Sequence, residues 1–324
     1  MAKYKVFVTD TLWPDLEIER KILKEVDADI VLSSSGTPED ICREGADFDA
    51  VVVNKNPMTS NNLKLLRKCK IIVRFGIGVD EVDIDAATRQ GIIVCNVPDY
   101  CQSESADHTI ALALGVSRKM HLLYDQTRSG FWDASVANNA PRNYGKIFAL
   151  VGCGSTGRMV AERAQAFGMK VVAEDPYIPD SVFISNDIKR YKNLDEMLSV
   201  ADFVSLHLPL NEKTEEIINK KTLTHMKPSS YLINISRGGL VNEDDLYEAL
   251  INGCIAGAGL DVLRKEPPDG INRLATLPNV IITPHTAWNS KEALPELRTK
   301  VATEIVLFFQ GLTPCYVVNK SLLR

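Results

Sequence analysis

The chain lacks the features that would point to a membrane, a nucleic acid or an oxidising compartment. No apolar run among its 324 residues reaches the ~18 needed to cross a bilayer, so no membrane partner is expected. Neither sign of charge is in large excess: 37 Lys plus Arg stand against 42 Asp plus Glu, a formal charge of −5. A nucleic-acid binder needs a basic surplus, and none is present. The seven cysteines are odd in number, scattered, and form no Cys-x-x-Cys pair. That excludes a disulfide scaffold and zinc-type spacing, so no metal is expected, and the thiols read as those of a reduced, cytoplasmic protein. The start, Met1 to Val8, is too short and strand-like for a signal peptide. Internal repeats and low-complexity tracts are also missing.

What is present is a hydrophobic content of 45%, enough for sizeable cores, and a length that fits roughly two domains of about 150 residues. Strand signals over 5–9, 29–33, 50–53, 71–74 and 92–95 alternate with helix signals over 16–25, 38–44 and 63–68. Such alternation predicts a parallel sheet covered by helices. A long Ala- and Leu-rich helix is expected over 103–120, then an irregular polar stretch over 125–144 around Phe131-Trp132. Further strands are expected over 146–151, 170–175, 201–206, 230–235, 255–260 and 280–282. Helices are expected over 158–167, 220–225 and 243–252, and a last one over 291–310 that ends at Gly311.

The stretch Gly152-Cys-Gly154-Ser-Thr-Gly157 sits between the first two of these later strands. Gly152 permits a tight turn, Gly154 lets backbone approach a pyrophosphate, and Gly157 lets helix pack on strand. The helix start at Ser155 and Thr156 offers N–H groups and a positive dipole end to phosphates. Asp175 follows 18 residues after Gly157, where a carboxylate accepts the hydroxyls of an adenosine ribose. It repels a 2′-phosphate, and Pro176 and Tyr177 follow it with no Lys or Arg adjacent, so the expected cofactor is NAD (NADH). Cys153, inside the loop, is open to alkylation, but nothing nearby marks it as a nucleophile.

A nucleotide-binding motif in mid-chain needs several strands after it. The economical solution is an α/β fold of two Rossmann-like doubly wound domains, one of them discontinuous and flavodoxin-like. Residues 1–98 and 289–324 would form the substrate (catalytic) domain, and 99–288 the NAD-binding domain. The chain would cross twice, near Pro98 and Asn289, making a hinge and an interdomain cleft at the carboxyl ends of the strands.

Hydride transfer to a carbonyl carbon needs a proton carrier, an anion holder and a group that tunes the carrier. His285 follows Ile281-Ile-Thr-Pro284 at a strand end, and imidazole suits reversible proton transfer. The competing role is a capping or core histidine. His207, after another strand, is placed to line the nucleotide pocket. His108, His121 and His225 read as structural or surface residues. Arg237 ends a strand before Gly238-Gly239, and its guanidinium matches a carboxylate bidentately; pairing with a nearby acid is the alternative. Glu266, stiffened by Pro267-Pro268, is one of several acids able to orient an imidazole. Asp261 ends a strand where it would reach a nicotinamide amide.

Together these stretches resemble the D-isomer-specific 2-hydroxyacid dehydrogenases, a superfamily that includes phosphoglycerate dehydrogenases, glyoxylate/hydroxypyruvate reductases and C-terminal binding proteins. The resemblance runs through Arg74-Phe-Gly-Ile-Gly-Val-Asp80, Glu104-Ser-Ala-Asp-His-Thr109 and the glycine motif with Asp175-Pro-Tyr177. It continues through Asn234-Ile235-Ser-Arg-Gly-Gly239, Gly259-Leu-Asp-Val262, Glu266-Pro-Pro268 and Pro284-His-Thr-Ala287. It implies an NAD-dependent oxidoreductase acting on the CH–OH group of small 2-hydroxy acids, of glyoxylate, hydroxypyruvate or phosphoglycerate type. It implies Arg237 on the substrate carboxylate and keto oxygen, His285 as acid/base and Glu266 as its partner. Thr109 and Ile235, within the matching motifs, join the expected cofactor contacts. Backbone N–H groups of Ile77 and Gly78 would hold the substrate carboxylate. A homodimer through the NAD domain is implied, with the helix at Ser103 and Phe131-Trp132 at the interface. Asn54 stands where phosphoglycerate dehydrogenases usually carry an arginine, and Lys55 partly replaces that charge. Trp288 stands where many members have glycine; it either closes over the substrate or packs beneath the crossing chain. The alternative function is an NAD-sensing scaffold of the corepressor type, which the C-terminal binding proteins exemplify.

Overall fold

In the computed structural model, residues 2–34 and 36–323 are described. The chain divides into two compact units, Met1–Cys101 with Ser290–Arg324, and Gln102–Asn289.

The first unit begins β1 (Tyr4–Val8), α1 (Glu17–Leu23), β2 (Ala28–Leu32), α2 (Pro38–Glu44) and β3 (Ala50–Val53). It continues through α3 (Ser60–Leu63), β4 (Ile71–Arg74), α4 (Ile84–Arg89) and β5 (Ile93–Cys95). All strand pairs are parallel, in the order β2-β1-β3-β4-β5. That is the flavodoxin-like order. A parallel sheet is covered on both faces, which is why β3 reads Ala-Val-Val-Val and is buried throughout. Local chemistry sets α2: Thr37 and Asp40 form a reciprocal capping box ahead of Pro38. The C-terminal helix Ala293–Phe309 packs on α1 and brings Arg298 to Glu19, with bonds of 2.8 and 2.7 Å. The pair is buried, and Asp15 accepts a further bond from Arg298 at 3.0 Å, so the guanidinium is balanced by two carboxylates.

The second unit begins α5 (Gln102–Ser117), α6 (Met120–Arg128), β6 (Ile147–Val151), α7 (Ser155–Ala166) and β7 (Lys170–Glu174). Next come α8 (Asp180–Ser185), β8 (Lys189–Tyr191), α9 (Leu194–Val200) and β9 (Phe203–Leu206). The unit closes with α10 (Lys220–Leu223), β10 (Tyr231–Asn234), α11 (Glu243–Ile251), β11 (Gly257–Leu260) and β12 (Val280–Ile282). Its parallel sheet runs β12-β11-β10-β9-β6-β7-β8, so the strand order reverses between β6 and β9. Phe148, Phe203 and Tyr231 lie in register on β6, β9 and β10 and stack at 5.6 and 5.4 Å. Three rings thus fill one face of the sheet beneath that reversal, and each apolar face forms its own core cluster.

Several expectations need correction. The helix expected over 103–120 is α5, which ends at Ser117, just before Lys119 takes a left-handed turn (φ 55°). A separate helix, α6, runs from Met120 into the stretch expected to be irregular, as far as Arg128. The helix expected over 63–68 is instead α3, started earlier by the Thr59 cap. Four short elements, α4, α8, β8 and α9, were not anticipated. Their three to seven residues are too few for a periodic pattern to stand out.

Candidate active site

The glycine motif forms the turn between β6 and α7. Gly152 has φ 93°, and a Cβ there would collide with the main-chain carbonyl of His207. A Cβ on Gly157 would lie 2.7 Å from the Gly152 carbonyl oxygen. Both glycines are therefore required by close backbone approach. Gly154 faces open space and precedes α7 without any side-chain cap. The first N–H groups of a helix have no intrahelical acceptor. At Ser155 and Thr156 they lie beside the strand-order reversal, where open α/β sheets bind ligands.

Asp175 has one carboxylate oxygen on the Cys153 N–H and the other on the Tyr177 N–H, both at 2.9 Å. Its carboxylate is thus held in place beside the motif. The sequence showed no cation adjacent to Asp175, but the fold supplies one. Arg190 of β8 donates to the Asp175 carbonyl at 2.9 Å and pairs with Asp180 at 2.5 Å. His207 bonds Ser205 Oγ through Nε2 at 2.8 Å, while its Nδ1 is buried without a hydrogen-bond partner. Burial pushes its imidazole down to about 4, so the ring is neutral near pH 7. An uncapped helix start, an open glycine, an anchored carboxylate and an orphaned ring nitrogen together fit a dinucleotide.

Two expectations at this end change. Thr109 is wholly buried, and its hydroxyl donates to Ser105 within α5 at 2.8 Å; it belongs to the core rather than to a cofactor surface. Cys153 is fully buried and its thiol is raised to about 11 by that burial, so ready alkylation is not expected. Ile235 is half-buried just beyond β10.

Three loops carry His285, Glu266 and Arg237. The ring of His285 is half-exposed, and its Nδ1 meets Oε2 of Glu266 at 2.5 Å. The other carboxylate oxygen, Oε1, accepts the Leu263 N–H at 2.9 Å. Leu263 in turn lies against Gly238, where a Cβ would collide with the Leu263 main-chain carbonyl. The loop bearing Arg237 is therefore packed directly on the loop bearing Glu266. Arg237 donates to the Ser236 carbonyl at 2.7 Å, and its own carbonyl is held by Asn234 at 2.8 Å. Arg264 ties the Glu266 loop to Glu215 and Glu216.

His285 has φ 50°, a left-handed conformation that costs a non-glycine residue about 1–2 kcal/mol. Asp261, on the loop after β11, has a task the sequence did not reveal. Its buried carboxylate accepts from Thr283 Oγ1 at 2.5 Å, Thr286 N at 2.9 Å and Ala287 N at 2.8 Å, and its carbonyl accepts His285 N at 2.7 Å. His108 reaches Thr283 Oγ1 at 2.9 Å from α5, adding to the same network. Trp288 donates from Nε1 to the His285 carbonyl at 2.9 Å.

Within the first unit, Lys55 is exposed while the N–H groups of Asn54, Lys55 and Asn56 all point to the Asp10 carboxylate, at 3.2, 2.8 and 3.2 Å. Asp10 was not singled out from sequence; three amides converging on one side chain leave no sequence pattern. Ile77 is exposed and Gly78 half-exposed, and the Ile77 carbonyl is held by Asn96 at 2.7 Å. Among the described residues, no group of His, Cys, Asp and Glu side chains converges as a metal site, and no helix is long and apolar enough to cross a membrane.

Comparison with known proteins gives the family of the chain. Residues 110–287 match the family model for the D-isomer specific 2-hydroxyacid dehydrogenase, NAD binding domain. The chain is 38% identical over 316 residues to D-3-phosphoglycerate dehydrogenase of Methanocaldococcus jannaschii, covering 97% of this chain and 59% of that protein. It is 36% identical over 273 residues to D-3-phosphoglycerate dehydrogenase of Bacillus subtilis, covering 84% and 51%. The chain thus spans only half to three-fifths of the curated relatives it matches. Among solved structures, a glyoxylate reductase from Paecilomyes thermophila superposes with a TM-score of 0.90 at 26% identity, covering 99% of this chain and 100% of that one. A D-lactate dehydrogenase from Aquifex aeolicus, complexed with NAD and lactic acid, gives 0.87 at 28% identity, covering 97% and 99%. With its glycine cradle, its strand order and its matched NAD-binding domain, the chain belongs to the D-isomer-specific 2-hydroxyacid dehydrogenase family.

Proposed function

We propose that the protein is an NAD-dependent oxidoreductase that interconverts small 2-keto acids and D-2-hydroxy acids. The observation that carries this reading is the Glu266–His285 pair at 2.5 Å, in the unit that also holds the dinucleotide cradle. The nicotinamide, when bound, gives or takes the hydride. In the reducing direction, His285 delivers a proton from Nε2 to the carbonyl oxygen, because Nδ1 is engaged by Glu266. Arg237 binds the substrate carboxylate and stabilises charge on the carbonyl oxygen. Ser155, Thr156 and the three motif glycines hold the pyrophosphate, Asp175 the adenosine ribose, and His207 and Ile235 the rest of the cofactor surface. Asp261 contributes by carrying the His285 loop.

The first unit is the substrate domain in this reading, with the Ile77 and Gly78 amides on the substrate carboxylate and Lys55 near a distal anionic group. Glyoxylate, hydroxypyruvate and phosphoglycerate-like acids are the substrates to test. Met120, Tyr124, Phe131 and Trp132 are exposed apolar side chains in the second unit, Trp132 at 93%, and they support a homodimer through that unit. Free thiols throughout are consistent with a cytoplasmic location.

NADH consumption with a panel of 2-keto acids tests the proposal. Turnover of at least one of them, lost in His285→Ala, is expected. Undiminished turnover in that variant would overturn the assignment, and tight NAD binding without turnover of any acid would favour the scaffold role.

A further inference from the structure

We infer that Trp288 is a positioning residue for the His285 imidazole, acting through its indole N–H on the main chain of His285 rather than as a wall of the substrate pocket. The inference rests on the acid/base reading of His285.

One peptide unit carries the argument. The group joining His285 to Thr286 is held from both ends: its N–H, on Thr286, donates to the Asp261 carboxylate at 2.9 Å, and its C=O, on His285, accepts the Trp288 indole at 2.9 Å. Clamping that plane sets ψ of His285. The His285 N–H is held by the carbonyls of Asp261 at 2.7 Å and Thr283 at 3.0 Å, which sets φ. With both backbone angles set, the direction of the side chain from the backbone is set too. Glu266 then locks the ring through Nδ1. Nε2 is what remains to be aimed, and its aim depends on each of these contacts.

The need for a clamp follows from the backbone. A histidine at φ 50° sits in a narrow left-handed region that it leaves unless its surroundings hold it. Pro284 precedes it, and the Asn289 N–H closes the following turn on the Thr286 carbonyl at 2.9 Å. Asp261 still anchors Thr286 and Ala287 when the indole N–H is lost, so the loop should remain folded but less narrowly fixed.

The test replaces Trp288 by Phe and, separately, by benzothienylalanine, which keeps the bicyclic ring and substitutes sulfur for the N–H. Both variants are expected to lower kcat for 2-keto acid reduction about 10- to 100-fold, the cost of a misplaced reacting group, with KM for the keto acid little changed. In the cofactor-free protein, the His285 ring resonances should shift or broaden in both variants. The wild-type Trp288 indole proton should exchange far more slowly than that of exposed Trp132. The inference is overturned if that proton exchanges as fast as Trp132, or if the benzothienyl variant keeps wild-type kcat and His285 spectra. A rise in KM with kcat intact would also overturn it and make the ring a substrate wall. Retained turnover in His285→Ala would sink the acid/base reading instead; the spectra and exchange rates would still judge the clamp.

Discussion

Oε2 of Glu266 lies 2.5 Å from Nδ1 of His285, although 19 residues and a strand separate them in sequence. The pairing holds the ring, and in the proposed reaction Glu266 acts through His285. Glu266→Gln keeps a hydrogen-bonding side chain but removes the negative charge beside the ring. It is expected to lower kcat roughly 10- to 100-fold with little change in NADH affinity. Steady-state kinetics with fluorescence titration of NADH checks this, and a variant with wild-type kcat would remove Glu266 from the mechanism.

Gly238 couples the arginine loop to the glutamate loop by contact of backbone on backbone. Its torsions are not in the left-handed region; the constraint is space against Leu263. Gly238→Ala is expected to cost about 1–3 kcal/mol of stability, the usual range for overpacking. It should also reduce kcat/KM for the keto acid, because Leu263 carries the hydrogen bond to Glu266. Thermal unfolding and kinetics together decide it: a variant unchanged in both would mean the two loops move independently.

Asp175 and Arg190 set up a cofactor-selectivity test. Asp175 repels a 2′-phosphate, while Arg190 is a guanidinium already beside it, occupied by Asp180 and a main-chain carbonyl. Asp175→Ser is expected to raise the NADPH to NADH ratio of kcat/KM about 100-fold, since one unfavourable charge contact is removed near a cation. Adding Arg190→Ala should cancel most of that gain. A ratio indifferent to Arg190 would show that the cation does not reach the phosphate.

His207 links stability to pH. Burial holds its imidazole at about 4 in the folded chain, below the ordinary value of 6.5. Between those values the unfolded chain binds a proton that the folded chain does not, so stability rises with pH across that window. Acidification from pH 6.5 to 4 should therefore cost on the order of 2–3 kcal/mol through this residue. In His207→Gln the melting temperature should fall less steeply from pH 6.5 to 4.5 than in the parent chain. Parallel slopes would place the acid sensitivity elsewhere.

Much of this was legible in the residues themselves, because it depends on local rules. The cradle was readable since each glycine, the flanking apolar runs and Asp175 stand in one stretch of thirty-odd residues governed by short-range geometry. The apolar runs of β3 and β4 were local too. His285 and Arg237 could be picked out as strand-end residues. What stayed hidden were the partners drawn from afar: Arg190 beside Asp175, Leu263 against Gly238, Asp10 gathering three amides. Such contacts depend on which strands become neighbours, and no spacing encodes that.

The amino-acid order alone determined the alternation of strands and helices, the nucleotide-binding turn and the identity of the residues able to move a proton or hold an anion, since each follows from side-chain chemistry acting over a few bonds. Only the tertiary structure decided that Asp261 and Trp288 grip opposite ends of one peptide beside His285, that Thr109 is sealed inside a helix packing, and that His207 is held neutral. Burial and hydrogen-bond satisfaction are properties of the packed chain; they come into being only when distant segments exclude water together.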